Sequence, residues 1–185
     1  MPVLVDDGEA IPDSTRILLH LEERYPEPPL IPTDPDQRTE CLTQEDWADS
    51  TLMALSRRLA YWQVVSTPGA LVEAWMPGKT GFRVWLTGLL APRAIRHRFG
   101  LSEARNRLDE EEARRAAEIA MQRLGGRSFL VGDRLSIADI ALATMAAPLW
   151  AASPEVTGDP SVDALLRWGA TILYEEDLAL YRRRG

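Results

Sequence analysis

The sequence predicts a mostly α fold, with a short β-hairpin and one helix in front of an all-helical body. Three observations lead there. Extended apolar runs are confined to Val3-Leu4-Val5 and Ala10-Ile11, on either side of the turn signal Asp6-Asp7-Gly8. Pro26, Pro28, Pro29 and Pro32 then interrupt the chain with a stiff linker. Beyond them the apolar residues recur at helical spacing, and capping side chains mark the starts.

Each element follows from its residues. Asp13 or Ser14 caps a helix whose apolar positions are Ile17, Leu18, Leu21 and Tyr25. Asp34-Pro35 pairs an N-cap with proline at the first helical position. That helix is expected to run to about residue 65, since Leu52, Leu55, Leu59 and Trp62 share a face and Pro68 is the next breaker. A short helix at 70–75 and a longer one at 82–99 flank the turn Met76-Pro77-Gly78. A helix over 109–124 is expected to open with Asp109-Glu110-Glu111-Glu112, acid where the helix dipole favours it, and to stop at Gly125-Gly126. Two more are expected, from 136 to about 152 and from 161 to about 181. A lone two-stranded hairpin is marginal without further packing, so a neighbouring layer is expected in front of it.

Composition narrows the function. The chain has 185 residues, 45% hydrophobic and 26% charged, as an ordinary globular domain has. A net charge of −7 speaks against broad binding to nucleic acid or to anionic membranes. Cys41 is the single cysteine, which excludes an internal disulfide framework and fits a reducing, cytoplasmic setting. No basic n-region precedes Asp6 and Asp7, so no secretory signal is expected. The apolar stretch 140–152 is too short to span a bilayer and contains Pro148. With His20, His97 and Cys41 as the whole nitrogen and sulfur inventory, no metal site is expected.

Two constellations stand out. Ser136-Ile137-Ala138-Asp139 has the spacing of a capping box, in which serine and aspartate satisfy each other's amides at a helix start. Its role is structural. The second is Pro2-Val3-Leu4 followed by Asp13-Ser14 at a helix N-terminus. A hydroxyl at such a terminus suits a carboxylate, and a neighbouring aspartate suits an ammonium group. Together they suit the amino-acid end of a γ-glutamyl peptide.

In order and spacing these residues resemble the glutathione S-transferase family. Pro2-Val3-Leu4-Val5-Asp6-Asp7-Gly8, Ile11-Pro12-Asp13-Ser14 and the helix 17–25 are similar to the second half of its thioredoxin-like domain. The linker, the long helix after Asp34-Pro35 and Phe129-Leu130-Val131-Gly132-Asp133-Arg134-Leu135-Ser136-Ile137-Ala138-Asp139 are similar to its all-helical C-terminal domain. Arg57-Arg58-Leu59-Ala60-Tyr61 and Tyr181-Arg182-Arg183-Arg184-Gly185 are similar to a little-characterised bacterial branch.

The resemblance implies a partial thioredoxin-like, glutathione-binding domain over 1–27, a linker over 28–34 and a helical domain over 35–185. It implies that Met1 and Pro2 meet the cysteine of glutathione across a cis peptide bond, and that Asp13 and Ser14 hold the γ-glutamyl end. The family's thiol-activating serine, tyrosine or cysteine lies on a first strand–helix–strand that is expected to be missing here, so no catalytic residue is assigned. The implied function is transfer of glutathione thiolate to a small electrophile by the complete protein, with glutathione as cosubstrate. The electrophile's hydrophobic site would draw on Thr51, Leu55, Arg58 and Trp62. The alternative is a non-catalytic binding or assembly protein, and a mis-assigned start is a third reading. A homodimer is expected by resemblance, with neither nucleic acid nor membrane as partner.

Other signals read more plainly. Gly78-Lys79-Thr80 has Glu73 where a phosphate loop needs its first glycine, and reads as a turn. Arg93, Arg96, His97 and Arg98 read as a solvated helix end. Cys41 reads as an inert thiol. Trp47, Trp62, Trp75, Trp85, Trp150 and Trp168 read mostly as core.

Overall fold

The computed structural model describes residues 2–173. Met1, the end of the last expected helix and the closing Tyr181 to Gly185 motif lie outside the described residues. Strands β1 (Val3–Asp6) and β2 (Glu9–Pro12) pair antiparallel, with Val3 opposite Pro12 and Asp6 opposite Glu9. Asp7 and Gly8 make the turn with positive φ of 49° and 85°, a region that glycine and aspartate tolerate best. Helix α1 (Ser14–Arg24) lies against this hairpin. Its two polar clamps are His20 Nε2 on Asp6 Oδ2 and Arg24 on Asp7, each at 2.7 Å.

Helix α2 (Pro35–Trp47) starts on Asp34, whose carboxylate accepts from the Gln37 amide at 3.0 Å. It passes through a five-residue π-helical segment, Ala48–Leu52, into α3 (Met53–Ser66). The expected single long helix is thus continuous in path, with one wider turn inside it. Helices α4 (Ala70–Trp75) and α5 (Phe82–Phe99) follow. Helix α6 (Glu103–Leu124) begins six residues before the expected start. Ser102 caps it by accepting from the Arg105 amide at 3.2 Å, so the acidic run lies inside the helix and not at its dipole end. Helix α7 (Ile137–Ala146) gives way at Pro148 to the 3₁₀ segment Ala147–Ala151, because proline removes the amide that an α-helix needs there. The short α8 (Pro154–Thr157) and α9 (Pro160–Ile172) complete the described fold.

Helix α7 is the central element. Ile137, Ala138, Leu142, Ala143 and Ala146 are buried against α2, α3 and α9. Helix α6 presents Ala113, Ala116, Ala117 and Ala120 to α3 and α9, a small-residue stripe at helical spacing that lets these helices approach closely. Leu52, Leu55 and Leu59 of α3 and Val162, Leu165 and Leu166 of α9 fill the space between. Each large side chain fully buried in this way contributes about 1.5–3 kcal/mol. A second, smaller cluster of Val65, Leu71 and Leu101 pins α4 and α5 to the end of α3. No residue of α5 is buried. Trp75 and Trp85 stand in solvent, against the expectation that the tryptophans are mostly core, because this arm has no layer outside it.

Candidate functional site

The chemistry-bearing end of the hairpin is the start of α1. The Asp13 amide donates to the Pro2 carbonyl at 3.1 Å, extending the hairpin by one bond and placing Pro2 beside the helix N-terminus. Asp13 sits at φ 80°, ψ 133°, a left-handed backbone that is strained for any residue but glycine. That turn swings its carboxylate over the helix end, where Oδ1 accepts from the Thr15 and Arg16 amides at 3.2 and 3.3 Å. Oδ2 makes no hydrogen bond among the described residues. The Ser14 hydroxyl and the Ser14 amide, the first of the helix, also have no partner among the described residues. Thr15 is committed elsewhere, its hydroxyl donating to Glu45 Oε1 of α2 at 2.7 Å.

The arrangement therefore offers one unshared carboxylate oxygen beside one free amide and one free hydroxyl. Asp13 and Ser14 are consecutive, so a group suited to an ammonium and a group suited to a carboxylate stand next to each other at the helix start. The helix dipole adds to the carboxylate side. Pro2, Asp13 and Ser14 are thus brought together. Met1 and the Met1-Pro2 bond lie outside the described residues.

The α3 residues make a less open surface. Leu55 is 5% exposed and belongs to the main core. Arg58 is bound in both directions to Asp109 of α6, with Nε to Oδ2 at 2.8 Å and a terminal nitrogen to Oδ1 at 2.6 Å. This carboxylate pushes the Arg58 guanidinium, already basic, further up. Asp109 also accepts from Arg105 at 2.9 Å. Thr51 falls in the π-helical segment and is half-buried. Trp62 packs on the second cluster with the Arg96 guanidinium 5.3 Å from its ring centre. These four share a helix side without converging on one cavity.

Asp139 and Ser136 form the α7 cap. Asp139 Oδ2 accepts from the Ser136 amide at 2.9 Å and from its hydroxyl at 2.7 Å, and Oδ1 accepts from the Leu130 amide at 2.8 Å. Leu130 was not foreseen, because the bond joins the loop before the helix to its first turn. Cys41 is fully buried beside this cap, and burial raises its thiol pKa. Among the described residues no group of three or more His, Cys, Asp or Glu could hold a metal ion.

Comparison with known proteins bears on both halves. Residues 48–168 match the family model for the glutathione S-transferase C-terminal domain, and residues 1–29 match that for its N-terminal domain. Glutathione S-transferase Z1 of Arabidopsis thaliana is 50% identical over 38 residues, which is 20% of this chain and 17% of the plant protein. A zeta-class enzyme of Euphorbia esula is 53% identical over 34 residues, 18% of this chain and 15% of its own. Among solved structures, a glutathione S-transferase of Rhodospirillum rubrum superposes with a TM-score of 0.61 at 22% identity, over 93% of this chain and 65% of that one. A β-etherase of a Sphingobium species gives 0.65 at 18% identity, over 100% and 78%. A Streptococcus pneumoniae glutathione transferase in complex with glutathione gives 0.58 at 17% identity, over 98% and 60%. The sequence matches to the curated plant relatives thus reach less than a fifth of their lengths.

Proposed function

The chain belongs to the glutathione S-transferase family, and from that premise we propose that the Pro2–Ser14 corner is its glutathione-binding element. The γ-glutamyl ammonium lies on Asp13 Oδ2 and the γ-glutamyl carboxylate on the Ser14 amide and hydroxyl. The cysteine of glutathione then runs along the backbone at Met1 and Pro2. The observation that carries this reading is the helix start itself, where an uncommitted carboxylate oxygen of Asp13 is followed directly in the chain by the uncommitted amide and hydroxyl of Ser14.

In the complete protein the bound thiol would be delivered as thiolate to a small electrophile. Thr51 and Trp62, the partly exposed members of this face that no ion pair holds, are assigned to the electrophile's side. Leu55 supports that face from the core, and Arg58 through its pair with Asp109. Cys41 takes no part, since a thiol raised in pKa and closed to solvent supplies little thiolate. A homodimer in a reducing, cytoplasmic setting completes the proposal, and no helix of the described residues is long and apolar enough to cross a membrane.

Titration calorimetry with glutathione tests the reading. Ser14→Ala is expected to weaken binding about 10- to 150-fold, the loss of one hydrogen bond to a charged group. γ-Glutamyl removal from the ligand is expected to erase that difference. Equal affinity of wild type and Ser14→Ala for glutathione would move the site elsewhere.

A further inference from the structure

Between Glu73 and Glu103 the chain carries Lys79, Arg83, Arg93, Arg96 and Arg98 and not one acidic residue, although its net charge is −7. Helix α5 occupies most of that interval with 18 residues, about 27 Å of length. Its outward side has two parts. Phe82, Trp85, Leu86, Leu89 and Leu90 fall at positions i, i+3, i+4, i+7 and i+8, one face of a helix. Phe82 is 72% exposed, Trp85 61% and Leu90 53%, and the Phe82 and Trp85 rings stack on each other at 5.7 Å. The last two turns then carry Arg93, His97 and Arg98, all exposed, while Arg96 turns its guanidinium back to the Trp62 ring and the Val65 carbonyl of α3. A shallow, mostly apolar trough of about 330 Å³, lined by Leu86, Thr87, Leu90, Ala91 and Ala94, opens beside the ridge.

We infer that α5 docks on an anionic lipid surface, with Phe82, Trp85, Leu89 and Leu90 entering the headgroup boundary and the arginines meeting lipid phosphates and carboxylates. A basic amphipathic helix with aromatic and leucine side chains on its apolar side has the composition of an in-plane interfacial helix. Charge complementarity selects this occupant over a second copy of the chain. Packing two α5 ridges together would bring two acid-free cationic segments into contact, with Arg83 of one helix near Arg93 of the other in the antiparallel arrangement. The acidic remainder of the protein does not cancel the attraction. Its field is screened beyond roughly 8 Å at physiological salt, whereas α5 projects from the body on a small cluster. The negative net charge that argued against membranes is thus an average over a locally positive arm.

Flotation of the full chain with large unilamellar vesicles tests this. Vesicles of phosphatidylcholine with 30% phosphatidylserine are expected to bind at least tenfold more protein than pure phosphatidylcholine, with the excess lost in 0.5 M salt. Phe82→Ser combined with Trp85→Ser is expected to cut binding at least tenfold, with unchanged circular dichroism and urea midpoint. Failure of the wild type to float with the anionic vesicles would overturn the inference, as would equal binding by the double variant. Sedimentation of both proteins without lipid supplies the other test. A wild-type dimer that the double variant converts to monomer would show that a second copy covers this face, and would also overturn it.

Discussion

Replacing Asp139 with alanine removes the acceptor for three donors in a fully buried position. The Leu130 amide, the Ser136 amide and the Ser136 hydroxyl all end on its two oxygens, at 2.7–2.9 Å. The hydroxyl can rotate towards another acceptor, but the two amides cannot. Each orphaned amide costs about 1–3 kcal/mol, so Asp139→Ala is expected to destabilise by about 3–5 kcal/mol after partial relaxation. Ser136→Ala loses the hydroxyl's bond to Asp139 Oδ2 and the acceptor for the Asp139 amide, the other half of the capping box, and should cost about 0.5–2 kcal/mol. Asparagine at position 139 is the sharper probe. Its one oxygen can serve Ser136, but its amino group then meets the Leu130 amide donor to donor, so it should recover no more than about half the loss. Urea denaturation of wild type, the two single alanine variants and their double gives a cycle whose coupling should exceed about 0.5 kcal/mol. An Asp139→Ala loss below about 1 kcal/mol, or strict additivity with Ser136→Ala, would refute the argument that this carboxylate organises the turn.

Other consequences follow from the same geometry. Asp109→Ala should cost about 1–3 kcal/mol by urea midpoint. The loss stays below that of a deep ion pair because the Arg58 and Arg105 side chains, 21% and 41% exposed, can turn to water. A neutral effect would mean that the pairing only decorates the α3–α6 contact. Native Cys41 should react with iodoacetamide far more slowly than free cysteine at pH 8, and fully in 8 M urea, since its raised pKa keeps it protonated there. Labelling of the folded protein at the free-thiol rate would show that the α2–α7 contact opens readily.

The parts legible in the sequence are those whose causes are local. The hairpin follows from Asp7-Gly8 between two apolar runs, α2 from Asp34-Pro35, and α7 from Ser136 and Asp139 three residues apart. The start of α6 lies six residues ahead of the acidic run at 109–112, which resembles a first turn more strongly than Ser102-Glu103 does. Gly100, at φ 61°, closes α5 and, with Ser102, was the usable signal. The Arg58–Asp109 pair spans 51 residues of chain and has no local mark at all. In the candidate site, Asp13 and Ser14 could be read as a helix cap. The positive φ of Asp13 could not, since aspartate ordinarily caps from an extended backbone, as Asp34 and Asp159 do. The sequence placed Leu55 and Arg58 on the right helix, but only packing decides that one turns into the core and the other is held by a buried acid.

The linker after α1 has a consequence for how this chain could change length over evolutionary time. Both oxygens of Glu22 are engaged, Oε2 by the Leu30 amide at 3.0 Å and Oε1 by the Ile31 amide at 3.1 Å. The Leu30 carbonyl in turn accepts from the Ile137 amide at 3.0 Å. One dipeptide is therefore stitched on one side to the last turns of α1 and on the other to the first residue of α7. Ordinary surface connections absorb inserted residues with little penalty, because lengthening a flexible loop costs little entropy. Here an insertion between Glu22 and Leu30 can bulge outward, whereas one between Leu30 and Ile31 breaks the stitch itself. Length variation among homologous chains should accordingly collect at 25–29 and avoid 30–31.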